Sequence, residues 1–366
     1  MSLYYGDNFI GQTDLTGKIY AFFTLFNNCS YLISAENLIL QATTLTDSCY
    51  RNMFSNCSSL SKGPELPATA LAEFCYYYMF EGCTSLTKAP ELPATTLTTG
   101  CYADMFFNCS SLTKVPELPA TSLAERCYEE MFNGCSSLTK APEILPATTL
   151  ADSCYNQMFF NCSSLTKAPE LPAETVYSYS YANMFNGCSS LTKAPELPAT
   201  TLAERCYNQM FEGCSSLTKA PELPATTLAS YCYYAMFNEC RSLTKAPELP
   251  AETLVEGCYS NMFFTCPNLN YIKCLATDIS ADSCTEMWYI MVQDQGTFIT
   301  ADNHPVWTSG TSGIPSGWNV YTESEYEEVR HYEIANKVGS STSGLNIEVV
   351  NALPETPAKN TIYIIK

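Results

Sequence analysis

Cysteines recur along this chain at a fixed step. One series falls at Cys49, Cys75, Cys101, Cys127, Cys154, Cys206, Cys232, Cys258 and Cys284, with Ser180 on the missing rung. A second lies eight residues later in each unit, from Cys57 to Cys266, and Cys29 belongs to it two residues out of phase. The step is 26 residues, and a single step of 27 marks the insertion of Ile144. A period of this size signals stacked repeats, because one such unit is too small to bury its own apolar face. Twenty cysteines in 366 residues would otherwise suggest zinc or disulfides. Zinc needs four converging ligands, usually from closely spaced pairs or with His. Here every unit repeats a pair eight apart, and Ser180 replaces one rung with no other change. The cysteines therefore read as two columns of buried, small apolar spacers, and no metal or cofactor is expected. Cys274, outside both columns, stands out as the thiol to test for reactivity.

The unit beginning at Thr201 illustrates the others. Leu202, Cys206, Met210 and Cys214 are four apart, with Tyr207 and Phe211 beside them. That spacing predicts an apolar helical stripe; Thr201 and Glu204 read as a capping box, and Gly213 as the stop. Leu217 to Leu223 is too short for a helix and contains Pro221, so it reads as an extended segment turned by Pro224. The expected fold is a leucine-rich-repeat solenoid of about ten copies, one short strand plus one short helix per 26-residue repeat, with a small mixed C-terminal segment. The expected boundaries are 1–48 for an N-terminal cap with an irregular first repeat, 49–290 for the solenoid, 291–320 for a C-terminal cap, and 321–366 for an acidic helix with a β-hairpin.

Met-Phe-x-x-Cys-x-x-Leu followed by Leu-Pro and a further Leu resembles the BspA-like leucine-rich repeats of bacterial surface proteins, over roughly residues 20–290. The resemblance implies a right-handed solenoid with a sheet on one face and binding to host or bacterial surfaces. The extended segment is nearly invariant between copies. Its lysines, among them Lys140, Lys167 and Lys193, form one row, and its glutamates, among them Glu143 and Glu170, form another three residues on. Rows of opposite sign offset repulsion within each row, and the same periodic surface suits a periodic ligand such as a capsular polysaccharide. Variation concentrates around the first cysteine, where Tyr77 and Tyr78, Tyr177 and Tyr179, and Tyr231 and Tyr234 are candidate contacts for carbohydrate or protein. The adjacent acids Glu129 and Glu130 would point apart on a helix and read as solvated surface.

A formal charge of −19 argues against nucleic acid or an anionic membrane as partner, and no apolar run is long enough to cross a bilayer. Met1 to Asp7 carries neither a basic nor an apolar leader region. His304 and His331 lie near no nucleophile motif, so no enzyme activity is expected. The 296–318 stretch, with Trp307 and Trp318, resembles the capping segment of arrays in gut Bacteroidales proteins. Leu345 to Val350 and Asn360 to Ile365 read as a strand pair resembling a β module at the ends of phage tail and fibre proteins. Together with the leaderless start, this favours a phage virion component contacting the surface of a Bacteroides-type host, joined to other virion proteins or to itself through that module. A bacterial cell-surface adhesin binding glycan or protein is the alternative.

Overall fold

The computed structural model describes residues 13–330 and the backbone of 346–350 and 361–365. The chain winds into coils of one repeat each, stacked in parallel register. Lys88 bridges Lys114 and Lys114 bridges Lys140 on one side, while Ser122 bridges Thr149 and Thr201 bridges Thr227 at a second point of the coil. The Lys-to-Pro segments are extended as expected, and near the C-terminal end they widen into true strands: β1 (Glu248–Leu249), β3 (Tyr271–Cys274), β5 (Thr297–Thr300) and β6 (Asn319–Thr322). These form one all-parallel sheet in the order β1-β3-β5-β6, so residues 291–322 continue the stack. On the other side of the coils, β2 (Phe263–Phe264) pairs in parallel with β4 (Tyr289–Ile290).

The segment expected to be helical is not a helix. It is a run of overlapping four-residue turns. Cys49, Met53 and Cys57 donate their amides three residues back, to Thr46, Tyr50 and Phe54, at 3.2, 3.2 and 3.0 Å. Every second amide instead goes to the next coil: Tyr50 to Cys75, Asn52 to Tyr77 and Phe54 to Met79, each at 2.9 Å. Every fourth residue has a positive φ, as at Ser48, Asn52 and Asn56, which is the sign a type II turn requires at its third position. Asn and Gly tolerate that conformation best, and they alternate at the last of these turns from Asn56 to Gly187. Asn108 and Asn161 sit at φ 58° and 56°, and in the following coils Gly134 and Gly187 sit at φ 75° and 76°. A Cβ at either glycine would run into the Asn side chain stacked on it. The sole described helix, over 323–330, follows β6.

Two inward residues, then two outward, is the rhythm of each turn run, and it places identical side chains one above another. Tyr76, Tyr102 and Tyr128 stack at 5.6 and 5.9 Å, and Phe80, Phe106 and Phe132 at 5.5 Å. The phenylalanine ladder runs on to Phe263 and ends against Trp288, which stacks on Trp307 at 5.7 Å. Most coils also bury a Met, two Cys and several Leu, at roughly 1.5–3 kcal/mol for each large side chain removed from water. The second cysteine column does more than fill space. Cys83 Sγ donates to the Phe54 carbonyl at 3.2 Å, and Cys109 to Phe80 at 3.1 Å. The Phe54 carbonyl also accepts the amide of Cys57, so both lone pairs of a buried acceptor are used. In the first column the contacts from Cys75 Sγ to the Cys101 carbonyl and from Cys258 Sγ to the Cys284 carbonyl are long, at 3.9 and 3.8 Å, and Cys284 at the end donates to Ile279 at 3.4 Å. Ser180 is accommodated there by taking the Tyr177 amide at 3.3 Å.

Three further expectations change. Cys274 is fully buried on β3, with its thiol pushed up to about 12 by burial, and the exposed cysteine is Cys29. Strands β7 (Asn346–Val350) and β8 (Thr361–Ile365) pair in parallel, so they are not a hairpin. The extra residue, Ile144, is itself taken into the ladder as a parallel bridge to Glu170: the Glu170 amide donates to Glu143, and Leu145 donates back to Glu170. His331, the Gly/Ser linker 339–344 and most of the acidic-helix expectation beyond residue 330 lie outside the described residues.

Candidate functional site

The repeated extended segments form one face. Lys140, Lys167, Lys193, Glu143 and Glu170 all lie exposed on it, and Lys167 and Lys193 are direct parallel partners. The expected mutual neutralisation of the two charge rows is not realised as ion pairs. Lys88 approaches Glu91 at 3.8 Å, both ends well exposed. Among the described residues, Lys114, Lys140, Lys167 and Lys193 form no ion pair. Register explains this. Stacking at a strict repeat places Lys beside Lys and Glu beside Glu, as the Lys88–Lys114, Lys114–Lys140 and Lys167–Lys193 bridges show. The prolines between them leave shallow depressions, one of about 580 Å³ beside Lys62, Pro64, Lys88 and Pro90, another of about 360 Å³ beside Lys167, Pro169, Lys193 and Pro195. At the C-terminal end the face is closed by Lys273, which pairs with Glu248 at 2.9 Å and with Glu323 of the helix at 2.8 Å.

The turn face carries the variable residues. Tyr77 and Tyr78 pack edge-to-face with centroids 4.3 Å apart, and the Arg51 guanidinium lies 4.8 Å over Tyr77. Tyr179, Arg205 and Tyr231 occupy the same position in consecutive coils, and Arg205 sits 4.6 Å from the Tyr231 ring centre and 5.8 Å from that of Tyr179. Tyr231 donates its hydroxyl to Glu256 at 3.1 Å and meets Tyr234 edge-on at 6.0 Å. Tyr177 is 41% exposed, although the residues one coil away on either side are Ala151 and Ala203. Stacking along the coil axis therefore uses the ring faces of Tyr179 and Tyr231, whereas Tyr177 has only alanines beside it.

Glu129 and Glu130 are not solvated surface. Glu129 is buried, paired with Arg126 Nε at 2.5 Å and accepting from Asn156 at 3.1 Å. Glu130 accepts from Asn133 and Gln157, both at 3.0 Å. In a turn run, unlike a helix, adjacent outward residues share a side. Next to them Asp104 is buried with Oδ1 unpartnered, although Tyr78 hydrogen-bonds the carboxyl. Burial, then the charges of Glu130 and Glu129, push Asp104 up to about 8. Burial and then Glu129 also raise Glu130. Among the described residues no cluster of His, Cys, Asp or Glu has the geometry to hold a metal ion, and no helix is long and apolar enough to cross a membrane.

A profile of the BspA type leucine rich repeat region matches the chain in six copies, over residues 23–139, 47–191 and 155–285, well over half its length. The chain belongs to the BspA-type leucine-rich repeat family. Among curated proteins no relative matches it. For this BspA-type array, the match ends at residue 285 and leaves out β4 to β8. The C-terminal pair, being parallel, offers no hairpin for the phage-module likeness to rest on.

Proposed function

We propose that this BspA-type protein is a non-enzymatic binding protein of the bacterial cell-surface kind, whose repeated face holds an extended polysaccharide bearing regularly spaced acidic groups. The observation that carries this reading is the run of Lys114, Lys140, Lys167 and Lys193, which form no ion pair among the described residues on a face that repeats once per coil. Lysine ammoniums offer point-charge donors to carboxylate or sulfate groups, and the neighbouring glutamates accept hydroxyls. Coils stack about 4.8 Å apart. A β-strand peptide laid along the stack would repeat every ~6.6 Å on each face and fall out of step, whereas a pyranose ring spans about one coil. A net charge of −19 keeps non-specific polyanion binding low, so recognition depends on the local lysine row.

The test is a glycan array probed with the wild type and with the triple variant Lys140→Glu, Lys167→Glu, Lys193→Glu. All three positions are exposed, so the fold tolerates the changes. Acidic polysaccharide spots retained by the wild type and lost by the triple variant support the proposal; unchanged retention rejects the lysine face.

A further inference from the structure

The sixth and seventh coils depart from the repeat in one place. Most coils follow their Leu-Pro-Ala with Thr, as at Thr148, Thr200 and Thr226, but Glu174 stands here, as Glu252 does three coils on; only here does Val176 also replace the usual Leu, with Tyr177 where the neighbouring coils have Ala. Glu174 and Val176 line a depression of about 530 Å³ at the edge of the lysine face, together with Thr175, Pro198, Thr200, Thr201 and Leu202. Pro198 also lines the depression of the lysine face between Lys167 and Lys193, so the two hollows meet at that ring. The edge hollow carries one carboxylate and three exposed hydroxyls, with no lysine or arginine lining it. Glu174 forms no ion pair or hydrogen bond among the described residues, and Tyr177, next in the chain to the lining residue Val176, has its side chain exposed. This is the chemistry of a neutral sugar: a carboxylate accepts a pair of neighbouring hydroxyls, threonines exchange hydrogen bonds with others, and an aromatic ring meets the apolar side of a pyranose. An acidic sugar would be repelled by Glu174.

We infer that this edge hollow is a branch site, which takes a neutral sugar branch projecting from a polysaccharide whose backbone lies on the lysine face. The inference rests on the reading of the lysine face given above, and it assigns that ligand a branched structure. The periodic face alone has no means of choosing one register along a periodic polymer. One aperiodic hollow supplies it, because only the placement that seats the branch in coils six and seven satisfies both surfaces.

The test uses an array on which acidic backbones appear in linear form and with single neutral hexose branches. The wild type should retain branched spots at least tenfold better than their linear counterparts. Glu174→Gln and the double variant Thr200→Val, Thr201→Val, all at exposed positions, should lose that preference while still retaining linear spots. Tyr177→Ala should act in the same direction. A wild type without preference for branched spots overturns the branch site, as does a preference that survives in every variant. If the wild type retains no acidic spot at all, the lysine-face reading fails and the branch site fails with it.

Discussion

At the scale of single residues, the cysteines illustrate how chemistry is suppressed by packing. Burial pushes the thiols of Cys49, Cys101, Cys154 and Cys206 up to about 12, and thiolate is the reactive form. Alkylation at pH 8 under native conditions is therefore expected to label Cys29 and spare these columns and Cys274, with the remainder labelled only after denaturation; mass spectrometry of the labelled peptides checks it. Asp104 gives a pH signature. Its carboxyl titrates near 3.9 in an unfolded chain and at about 8 when folded, with burial, Glu130 and Glu129 raising it and Tyr78 and Arg126 opposing. The folded state thus holds a proton that the unfolded state releases. The stability contribution is complete below pH ~4, declines as pH rises through the folded value, and is lost above it. Asp104→Asn should leave thermal stability nearly unchanged at pH 5 and raise it at pH 9 by about 1–3 kcal/mol, the scale of relieving an unsatisfied buried group. A destabilised variant at pH 9 would contradict the assignment.

At the scale of elements, the sequence shows clearly what is buried and conceals how the backbone carries it. The columns of Cys, Met, Tyr, Phe and Leu are legible from periodicity, and all are in the core. The helix expectation fails because a spacing of four drifts only about 40° per step on a helix of 3.6 residues per turn. From Cys49 to Cys57 that is two steps, still within an apolar stripe of roughly 100°. A signal against the helix was present in the outward residues. Asn52 and Asn56, Asp104 and Asn108, Asn183 and Gly187 fall every fourth residue, and these are the side chains that accept positive φ. The candidate site was half legible. The lysine row follows from repetition alone, but the roles of Arg205, Asp104 and Glu129 depend on which neighbours the turns bring together, and a helical projection assigns those wrongly. Far-UV circular dichroism checks the point: the spectrum should lack the paired minima that ten helical repeats would impose, and their presence at strong intensity would exclude the turn run.

At the scale of the whole molecule, alternate amides of each turn run bond to the next coil, so no coil is complete alone and the array transmits its register from end to end. The same property makes the lysine face a periodic surface, closed at one end by Lys273 and Glu323. Affinity for a polymer on such a face accumulates with the number of coils engaged, each adding weak contacts whose sum is limited by ordering costs. The most direct measurement is isothermal titration with graded-length fragments of whichever acidic polysaccharide the array retains best. Affinity should rise progressively with fragment length and level off once the lysine row is spanned. An affinity already complete with a single sugar or disaccharide, and unchanged in longer fragments, would contradict a ligand held by repetition.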